Sequence, residues 1–395
     1  MTAWPAGAES KGPLAGLRVL DFSRILAGPY ATMHLADLGA DVIKVEAPGR
    51  GDETRHWGPP FGPDGSAAYY HAVNHNKRSI ALDLADPEDA RIARALAVEA
   101  AVIVDNFLPG RMQRFGLDRA ALAPENPSLI TATVSGFGSG NAYSGRPGFD
   151  FLAQAMGGLM SVTGQYGGEP TRVGVAISDL MAGLLTSTGI LSALHAVSTG
   201  EPGSHIEVAL LDTQVSMLAN IASGWLLGGF VPERFGSRHP NIAPYETLNT
   251  ADEPIAVAVG TDRQFRRFVE ALGDEALADD PRFAENRDRV GNREALVDAL
   301  EALLIDGGRD RWLTELIAAG VPVAPVNTVA EALLDPVIHE RMVTNVDGVP
   351  QLRTAIRVDG RPADIHSAPP RLGEHNDQIR RHVRAALGDH PGPRP

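Results

Sequence analysis

The chain of 395 residues contains no cysteine. This absence excludes disulfides, thiolate zinc sites, iron–sulfur clusters and a cysteine nucleophile. Basic residues are outnumbered as well, with 35 lysines and arginines against 49 acidic residues and a net charge of −14. We therefore expect neither nucleic acid nor an anionic membrane as the main partner. An anionic small ligand is not disfavoured, because it needs only a local cluster of cations.

Several familiar motifs are also missing. The first turn between a predicted strand and a predicted helix, residues 23–29, lacks the G-x-G-x-x-G pattern, which disfavours a nicotinamide or flavin dinucleotide. Neither a P-loop nor an H-E-x-x-H pair occurs, and the histidines form no other metal set. The G-x-S-x-G pattern is absent too, which disfavours a serine hydrolase. We therefore predict no metal site.

Long clean hydrophobic runs are absent. Stretches 180–197 and 209–230 are the most apolar, but polar residues interrupt both of them. A membrane-spanning helix needs about 20 predominantly apolar residues, so we interpret both stretches as buried core helices. The segment from Met1 to Lys11 has no apolar core and does not resemble a signal peptide. The sequence therefore leads us to expect a cytoplasmic protein.

The first half of the chain alternates predicted strands with predicted helices, and this pattern predicts an α/β fold with a doubly wound parallel sheet. The helix that follows the third strand has Asp86 as its predicted N-cap and Pro87 as its first residue. The predicted strands are 17–22, 41–46, 79–84, 102–105 and 129–134, and the predicted helices are 30–38 and 86–99.

From about residue 200 the pattern changes to a strand at 204–208, a long helix at 209–230 and a loop-rich segment before a smaller α+β unit. We predict that the C-terminal residues return to the large domain. The five last residues, Pro-Gly-Pro-Arg-Pro, are predicted to be disordered. The predicted division is a large domain at 1–210 completed by 370–395, a helix and linker at 211–240, a small domain at 241–325 and a return linker at 326–369.

Asp179 is the candidate for chemistry, because it stands where small residues turn into a long apolar helix. Two roles are open from the local sequence. As an N-cap, Asp179 would accept hydrogen bonds from free backbone N–H groups, and the helix dipole would keep it ionised. As an ionised carboxylate among apolar residues, it would also be a plausible nucleophile.

Cations and one aromatic residue follow the predicted strands, at the edge of the sheet where α/β proteins bind ligands. Asn106 and Phe107 directly follow a strand and are candidates to hydrogen-bond and stack on an adenine, although Phe107 would equally suit the core. Each cation alone is compatible with an ordinary surface position, while a cluster suits phosphate groups. The cations are Arg24, Arg50, Arg55, Lys77, Arg78, Arg111 and Arg114.

Taken together, these segments resemble the family III CoA-transferases, the group that includes formyl-CoA and carnitine CoA-transferases. The resemblance runs in order from about residue 14 to the stretch 371–375. The matching stretches are Leu14 to Asp21, Leu38 to Gly49 with Gly51, Asp52 and Arg55, Asn76 to Ile80, Val104 to Gly110, Gly148 to Asp150, and Gln154, Ala155, Gly157 and Gly158. Asp179 falls at the position of the nucleophilic aspartate of that family.

The resemblance implies a Rossmann-like large domain, a smaller domain and an interlocked, ring-shaped homodimer. It also implies that Asp179 attacks acyl-CoA and that an aspartyl-CoA thioester forms. Coenzyme A and acyl-CoA are then substrates, and no cofactor is bound permanently. The residues that match family positions near CoA are Leu26, Ala27, Leu82, Asp83, Asn106, Phe107, Leu108 and Arg114.

Three departures from the family pattern narrow the activity. Formyl-CoA transferases carry a glutamine at the position of Leu26 and an arginine at the position of Ala47. They also have a four-glycine loop where this chain has residues 236–240. The loop at 57–61 instead looks similar to the succinate–hydroxymethylglutarate type, which moves CoA between dicarboxylic acids. On this basis we expect Arg238, His239 and Asp150 to contact the substrate.

Two alternatives stay open. The same superfamily contains α-methylacyl-CoA racemases, which pair the aspartate with a histidine on the opposite face of the substrate. That histidine would fall at Phe149, whose ring cannot move a proton, so the transferase is favoured. The second alternative is a catalytically silent CoA-binding member of the family, in which Asp179 acts only as a cap.

Overall fold

A computed structural model describes residues 2–7 and 11–388, and the predicted disordered end at 391–395 lies outside these described residues. Contacts between Cα atoms divide the chain into two compact units. The larger unit takes in Val173–Leu226 and the described residues of Met1–Leu159 and Pro336–Pro395. The smaller unit consists of Met160–Arg172 and Leu227–Asp335.

The chain forms strands and helices that we number in chain order. The strands are β1 Arg18–Asp21, β2 Asp41–Glu46, β3 Lys77–Ala81, β4 Val102–Asp105, β5 Ile130–Ser135, β6 His205–Ala209, β7 Tyr245–Leu248, β8 Ile255–Ala258, β9 Val323–Pro325, β10 Val343–Val346, β11 Val349–Leu352, β12 Arg357–Val358 and β13 Arg361–Pro362. The helices are α1 Ala27–Asp37, α2 Ala68–His71, α3 Pro87–Glu99, α4 Arg111–Arg114, α5 Arg119–Leu122, α6 Asp150–Met156, α7 Leu159–Val162, α8 Ile177–Ser198, α9 Leu210–Ser216, α10 Ala219–Gly228, α11 Asp262–Leu272, α12 Asn286–Gly291, α13 Arg293–Leu304, α14 Arg309–Ala318, α15 Val329–Leu334, α16 Pro336–Met342 and α17 Asn376–Ala386.

The larger unit is built on a six-stranded sheet with the order β3-β2-β1-β4-β5-β6, and every neighbouring pair is parallel. This confirms the predicted α/β class with a parallel sheet. The chain leaves β1 for β2 on one side, whereas β4 lies on the other side of β1. The carboxyl ends of β1 and β4 are thus neighbours from which the chain departs in opposite directions. Such a point is where open α/β sheets bind ligands.

Apolar side chains cover both faces of this sheet. One cluster joins the strands to α3 and α17, with Ile80, Ile92 and Ile379 among its buried members. A second cluster on other strand residues includes Leu35 of α1 and Ile190 of α8. The start of α3 agrees with its prediction, because the Asp86 side chain accepts hydrogen bonds from the N–H groups of the next turn and Pro87 is the first residue.

Helix α8 is 22 residues long, and its most apolar 18-residue window has a mean hydropathy of 1.6. By length and composition alone, it is the one helix within the described residues that passes the criteria for crossing a membrane. The helix packs against α1, β5 and β6. Only 28% of its most apolar window is buried, so α8 packs against the larger unit along one face and the prediction of a buried core helix is only partly correct. Helix α10, which lies in the other apolar stretch, has no buried residue, so the same prediction is wrong there.

The smaller unit contains a three-stranded antiparallel sheet, β7-β8-β9, with helices α11 to α14. Its own core includes Phe265 and Phe268, which are almost fully buried. Helix α11 begins with a reciprocal capping box between Thr261 and Gln264, and Gly273 ends it in the left-handed conformation. This region thus combines helices and strands in the α+β arrangement that the sequence predicts.

Two predictions about helices are wrong. The predicted helix at 209–230 is divided into α9 and α10, because Ala219 takes a positive φ of 44° at which a helix cannot continue. Residues 326–369 are predicted as a return linker without helices, but α15 and α16 form there. A capping box between Thr328 and Glu331 starts α15, and this pattern is visible in the sequence.

The C-terminal segment completes the larger unit by covering its edge strand β3. The N–H of Ser79 donates to His375 Nδ1, and the N–H of His375 donates back to the Ser79 carbonyl. Further along both segments, the N–H of Ala81 donates to Asn376 Oδ1. An edge strand left open would present unpaired backbone groups to water or to another chain. The return of residues 370–388 to the larger unit therefore has a clear structural reason.

Candidate active site

Asp179 is the third residue of α8, so its predicted role as N-cap is wrong. The residue at the N-cap position is Ala176, which has no capping side chain. The N–H of Ser178 instead donates to Asp150 Oδ1 at 2.8 Å. A carboxylate from the start of α6 thus stabilises the first turn of α8, and Asp179 remains available for another role.

The environment raises the pKa of Asp179 to about 7, because the carboxylate is largely removed from water and also lies near the negative charge of Asp150. This is opposite to the expectation that the helix dipole would keep Asp179 ionised. No hydrogen bond reaches the Asp179 carboxylate from any described residue. The dipole contributes at most about 2 kcal/mol even in favourable geometries, which is less than the combined effect of burial and a like charge.

Asp179 lines a cleft at the carboxyl ends of β1, β4 and β5. The predicted CoA-binding residues Leu26, Ala27 and Asn106 to Leu108 line the same cleft, so the structure brings five of the eight together with Asp179. The full lining consists of residues 24–27, 106–109, 111, 134–138, 145–149, 179 and 210.

Phe107 is flanked by cations in this cleft. The Arg24 guanidinium lies 5.6 Å from the centre of the Phe107 ring, and the Arg111 guanidinium lies 5.2 Å from it. The charge of Arg24 is shared with Glu53 through an ion pair. Guanidinium groups beside an aromatic face suit a ligand that carries phosphate groups and a planar base. Arg24 and Arg111 were noted in the sequence only as members of a larger set of cations.

The far wall of the cleft depends on two glycines. A Cβ built on Gly136 would lie 2.4 Å from the Cα of Gly148, so the loops that follow β5 touch through bare backbone. A side chain at either position would push these loops apart. Next to this contact, the Phe149 side chain is 52% exposed and lines the cleft. The structure therefore places a phenyl ring in this wall of the cleft, at the position where the racemases are expected to have a histidine.

Three of the predicted CoA-binding residues do not line the cleft. The side chain of Leu82 is buried in the core, which leaves only its backbone for a ligand. Asp83 is exposed, and its carboxylate accepts a hydrogen bond from the N–H of Ala85. Arg114 is exposed at the end of α4. These assignments stay predictions.

Asp150 was expected to contact the substrate, but its side chain is buried and both oxygens accept hydrogen bonds. One bond comes from Ser178, and the other comes from Gln154 Nε2 at 2.8 Å. Gln154 Oε1 in turn accepts from the N–H of Val173, just before α8. Asp150 therefore supports the helix that carries Asp179, and the expected substrate contact is wrong for this geometry.

Arg238 and His239 belong to the smaller unit. Arg238 forms ion pairs with Glu294 and with the buried Glu246, and the hydrogen bond to Glu294 is the main cause of its raised pKa. The ring of His239 lies 5.2 Å from that of Tyr245. Their predicted role in substrate binding stays a prediction.

Tyr69 is a residue that sequence reasoning missed. Burial raises its pKa, and so do the charges of Asp179 and Asp150, which places its hydroxyl in their field. The ring packs edge-on against Trp57 at 5.3 Å. Trp57 belongs to a loop noted from the sequence, and the aromatic pair Tyr69 and Tyr70 shortly after it is the signal that could have led to Tyr69.

The described residues contain no group of three or more histidine, aspartate or glutamate side chains that could hold a metal ion. Among the residues that line the cleft, Asp179 is the one carboxylate, and no histidine is present. The fold and the cleft thus define an α/β protein with a lone carboxylate beside a cationic and aromatic surface.

Comparison with known proteins identifies the family. The model of CoA-transferase family III matches residues 14–376, and the chain belongs to this family and is a transferase. The chain is 42% identical over 381 residues to a succinate–glutarate CoA-transferase of Agrobacterium fabrum, covering 93% of this chain and 95% of the relative. It is 39% identical over 382 residues to an acetyl-CoA:oxalate CoA-transferase of Acetobacter aceti, covering 96% and 97%. A crystal structure of a CAIB/BAIF family protein from Brucella suis is 45% identical with a TM-score of 0.88, covering 94% of this chain and 99% of that one.

Proposed function

We propose that this enzyme transfers CoA from a dicarboxylic acyl-CoA to a carboxylic acid, with Asp179 as the nucleophile. The observation that carries the proposal is that Asp179 is the one carboxylate in a cleft that also contains Arg24, Phe107 and Arg111. The relatives named for succinate, glutarate and oxalate favour dicarboxylic substrates.

The proposed reaction has four steps. An Asp179 oxygen attacks the thioester carbon, the C–S bond breaks, and CoA thiolate leaves from a mixed anhydride. The thiolate then attacks the Asp179 carbonyl carbon, which releases the donor acid and leaves an aspartyl-CoA thioester. The acceptor carboxylate attacks this thioester and expels the thiolate, and the thiolate attacks the new acyl carbon to form product and free Asp179. No proton is transferred at carbon, which agrees with a cleft that has Phe149 in place of a second base.

The raised pKa of Asp179 suits a nucleophile that reacts near neutral pH. A weakly hydrated carboxylate is a stronger nucleophile, once it has lost its proton, than a fully hydrated one. With a pKa of about 7, a substantial fraction is ionised near neutral pH. We therefore expect the rate to rise with pH through about 7.

Trapping of the intermediate tests this proposal. We expect succinyl-CoA followed by hydroxylamine to convert Asp179 to a hydroxamate, which mass spectrometry of the peptide detects. A panel of C4 to C6 dicarboxylates, with acetate and propionate as controls, then identifies the acceptor by the CoA esters formed. Absence of both modification and product would favour the catalytically silent alternative. Exchange of the α-proton with deuterated solvent in the absence of an acceptor would favour the racemase.

The selection of dicarboxylic acids is a second part of the proposal. We propose that Arg238 and His239 attract the distal carboxylate of the substrate. Because Glu246 and Glu294 already share the charge of Arg238, its net attraction is small. We expect R238A to lower kcat/KM for succinyl-CoA more than for acetyl-CoA, with R266A as a control on an exposed arginine of the same unit. Equal effects on both substrates would contradict this role.

We also propose a Rossmann-like large domain in an interlocked, cytoplasmic homodimer with no permanently bound cofactor. Helix α8 supports the dimer, because Leu184, Leu185 and Leu191 are 37%, 40% and 38% exposed on a very apolar helix. Helix α10 presents Leu226 to solvent with 81% exposure. Patches of this kind usually mark an interface. Light scattering on the purified protein would give twice the chain mass, and a monomer at micromolar concentration would contradict the proposal.

A further inference from the structure

The turn between β1 and α1 contains a strained residue. Ile25 has a φ of 71°, in the left-handed region that β-branched residues rarely adopt. Such a conformation persists only where the surroundings enforce it. The strain lies directly before Leu26 and Ala27, which line the cleft that contains Asp179.

Three side chains enforce this turn by binding its backbone. The Asn106 amide makes two bonds to one residue, since its Oδ1 accepts from the N–H of Arg24 at 3.0 Å and its Nδ2 donates to the Arg24 carbonyl at 2.7 Å. Lys44 Nζ donates to the Ser23 carbonyl at 2.8 Å. The N–H of Ile25 donates to the Asp52 carboxylate, at 3.2 Å from each oxygen. The backbone of residues 23–25 is therefore fixed from three sides.

The position of this turn is connected to Asp179 through two helices. The turn determines where α1 begins, and the start of α1 touches α8 without an intervening side chain. A Cβ built on Gly183 would lie only 2.7 Å from the Ala27 carbonyl oxygen. Gly183 is one helical turn beyond Asp179, so a displacement of the start of α1 would alter the surroundings of the nucleophile.

We propose that Asn106 is a positioning residue of the transfer reaction, which holds the strained β1–α1 turn in place for catalysis. This inference rests on the proposed function of Asp179. It also revises the expectation that the Asn106 amide recognises an adenine. The oxygen and the amide nitrogen both already bind Arg24, so the side chain acts on the cleft through the turn.

The test begins with N106A, assayed with succinyl-CoA and glutarate. We expect kcat to fall roughly 10- to 100-fold, the loss that a small misplacement of reacting groups causes. KM for succinyl-CoA should change by less than about threefold, since the interaction lost is not a substrate contact. A rise in KM with unchanged kcat would show a nucleotide contact instead and would overturn the proposal.

A second substitution separates positioning from general stability. In the I25G/N106A double variant, glycine adopts the left-handed conformation without strain, and we expect most of the lost kcat to return. The control is N126A, because Asn126 Nδ2 also donates to two backbone carbonyls, those of Val98 and Ala100. It lies outside the cleft, so N126A should lower the melting temperature and leave kcat unchanged. No rescue by I25G would contradict the proposal.

Hydrogen exchange provides a readout that does not depend on turnover. In N106A the amides of Arg24 and Ile25 should exchange faster, while β1 keeps its protection. Unchanged exchange at both amides would overturn the positioning role. If the wild-type protein shows no transfer at all, the proposed function fails, and the exchange experiment still decides whether Asn106 holds the turn.

Discussion

Two groups of charged residues in the larger unit differ in whether their carboxylates are paired with cations. The first, the paired network, consists of Asp21, Lys44, Asp52 and Lys77, and its side chains are fully buried. Lys44 Nζ lies 3.0 Å from Asp52 Oδ2, and Lys77 Nζ lies 3.1 Å from Asp21 Oδ2. The second, the carboxylate pair, consists of Asp150 and Asp179, and no cation is among the causes that shift the pKa of Asp179.

Burial has opposite outcomes in the two groups. In the paired network, burial alone would raise the pKa of Asp21 and Asp52, but the neighbouring lysines and hydrogen bonds hold both below the ordinary value. In the carboxylate pair, burial and a like charge act together and raise the pKa of Asp179 to about 7. Partners therefore decide whether a buried carboxylate is a structural anion or a reactive group.

The largest expected effect is the loss of activity in D179N. Under the proposed mechanism this substitution removes the covalent nucleophile and should lower kcat by at least roughly 10⁴-fold, as in other enzymes that form covalent intermediates. The fold should persist, because no described residue donates a hydrogen bond to this carboxylate. CoA-ester formation measured by mass spectrometry, together with a melting curve, tests both statements. Activity within about tenfold of the wild type would remove Asp179 from the mechanism.

Substitution in the paired network should act mainly on stability, and because Lys44 and Asp52 also hold the β1–α1 turn, it should lower activity as well. In K44M the Asp52 carboxylate would stay buried without its cation, and the free energy of unfolding should fall by about 3 to 5 kcal/mol. Urea unfolding measures this change. The matched control is E315Q, which breaks the exposed pair of Arg311 and Glu315 and should cost no more than about 0.5 kcal/mol. Similar losses in both variants would contradict the distinction between buried and exposed pairs.

The dependence of stability on pH should differ in sign between the two groups. The folded-state pKa of Asp179 is above its unfolded value, so between roughly pH 4 and 7 the folded protein binds the extra proton and loses stability as pH rises. D179N should therefore be more stable than the wild type at about pH 8, by roughly 1 to 3 kcal/mol. The two proteins should converge near pH 4. Asp21 and Asp52 act oppositely, since their depressed pKa values give stability that acid removes.

Melting curves of D179N and the wild type from about pH 4 to pH 8 measure this difference. A constant difference across the range would show that the pKa of Asp179 is not raised. The paired network is tested at lower pH, where protonation of Asp21 and Asp52 should destabilise both proteins. If the melting temperature stayed constant as the pH was lowered from about 4, the depressed pKa values in that network would be contradicted.

The sequence predicts the parallel strands and α3 well, because apolar runs, Asp86 and Pro87 act within a few residues. It does not predict which carboxylate caps α8. Asp179 is the nearest candidate in the sequence, but the acceptor for Ser178 is Asp150, which is 28 residues away. Local patterns determine local structure, while partners across the fold need the tertiary structure.

The candidate site shows the same limit. Resemblance to a family places Asn106 near the ligand, and in the structure it lines the cleft. Its hydrogen bonds to Arg24 bridge 82 residues, so no spacing rule could reveal them. Helix α15 is different, because its capping box joins Thr328 and Glu331, which are only three residues apart, so the start of this helix could have been predicted from the sequence.

The smallest effect should come from D150N, which removes only the second cause of the raised pKa of Asp179. Burial, the larger cause, remains, so the pKa should fall from about 7 and stay above 3.8. The amide oxygen introduced by this substitution would still accept from the N–H of Ser178. The amide nitrogen would replace the oxygen that accepts from Gln154 Nε2, so that one bond would be lost. The midpoint of the rise of kcat with pH should move to lower pH by about one unit, which corresponds to roughly 1.4 kcal/mol.

The control is D212N, since Asp212 is an exposed carboxylate on α9 and is not among the causes that shift the pKa of Asp179. Its pH profile should match that of the wild type. If D150N also left the midpoint in place, Asp150 would not be the like charge that sets the pKa of the nucleophile. If D150N moved the midpoint up, the interaction between the two residues would be a shared proton rather than repulsion. In that case a proton between Asp150 and Asp179 would stabilise the carboxylate pair, as the lysines stabilise the paired network.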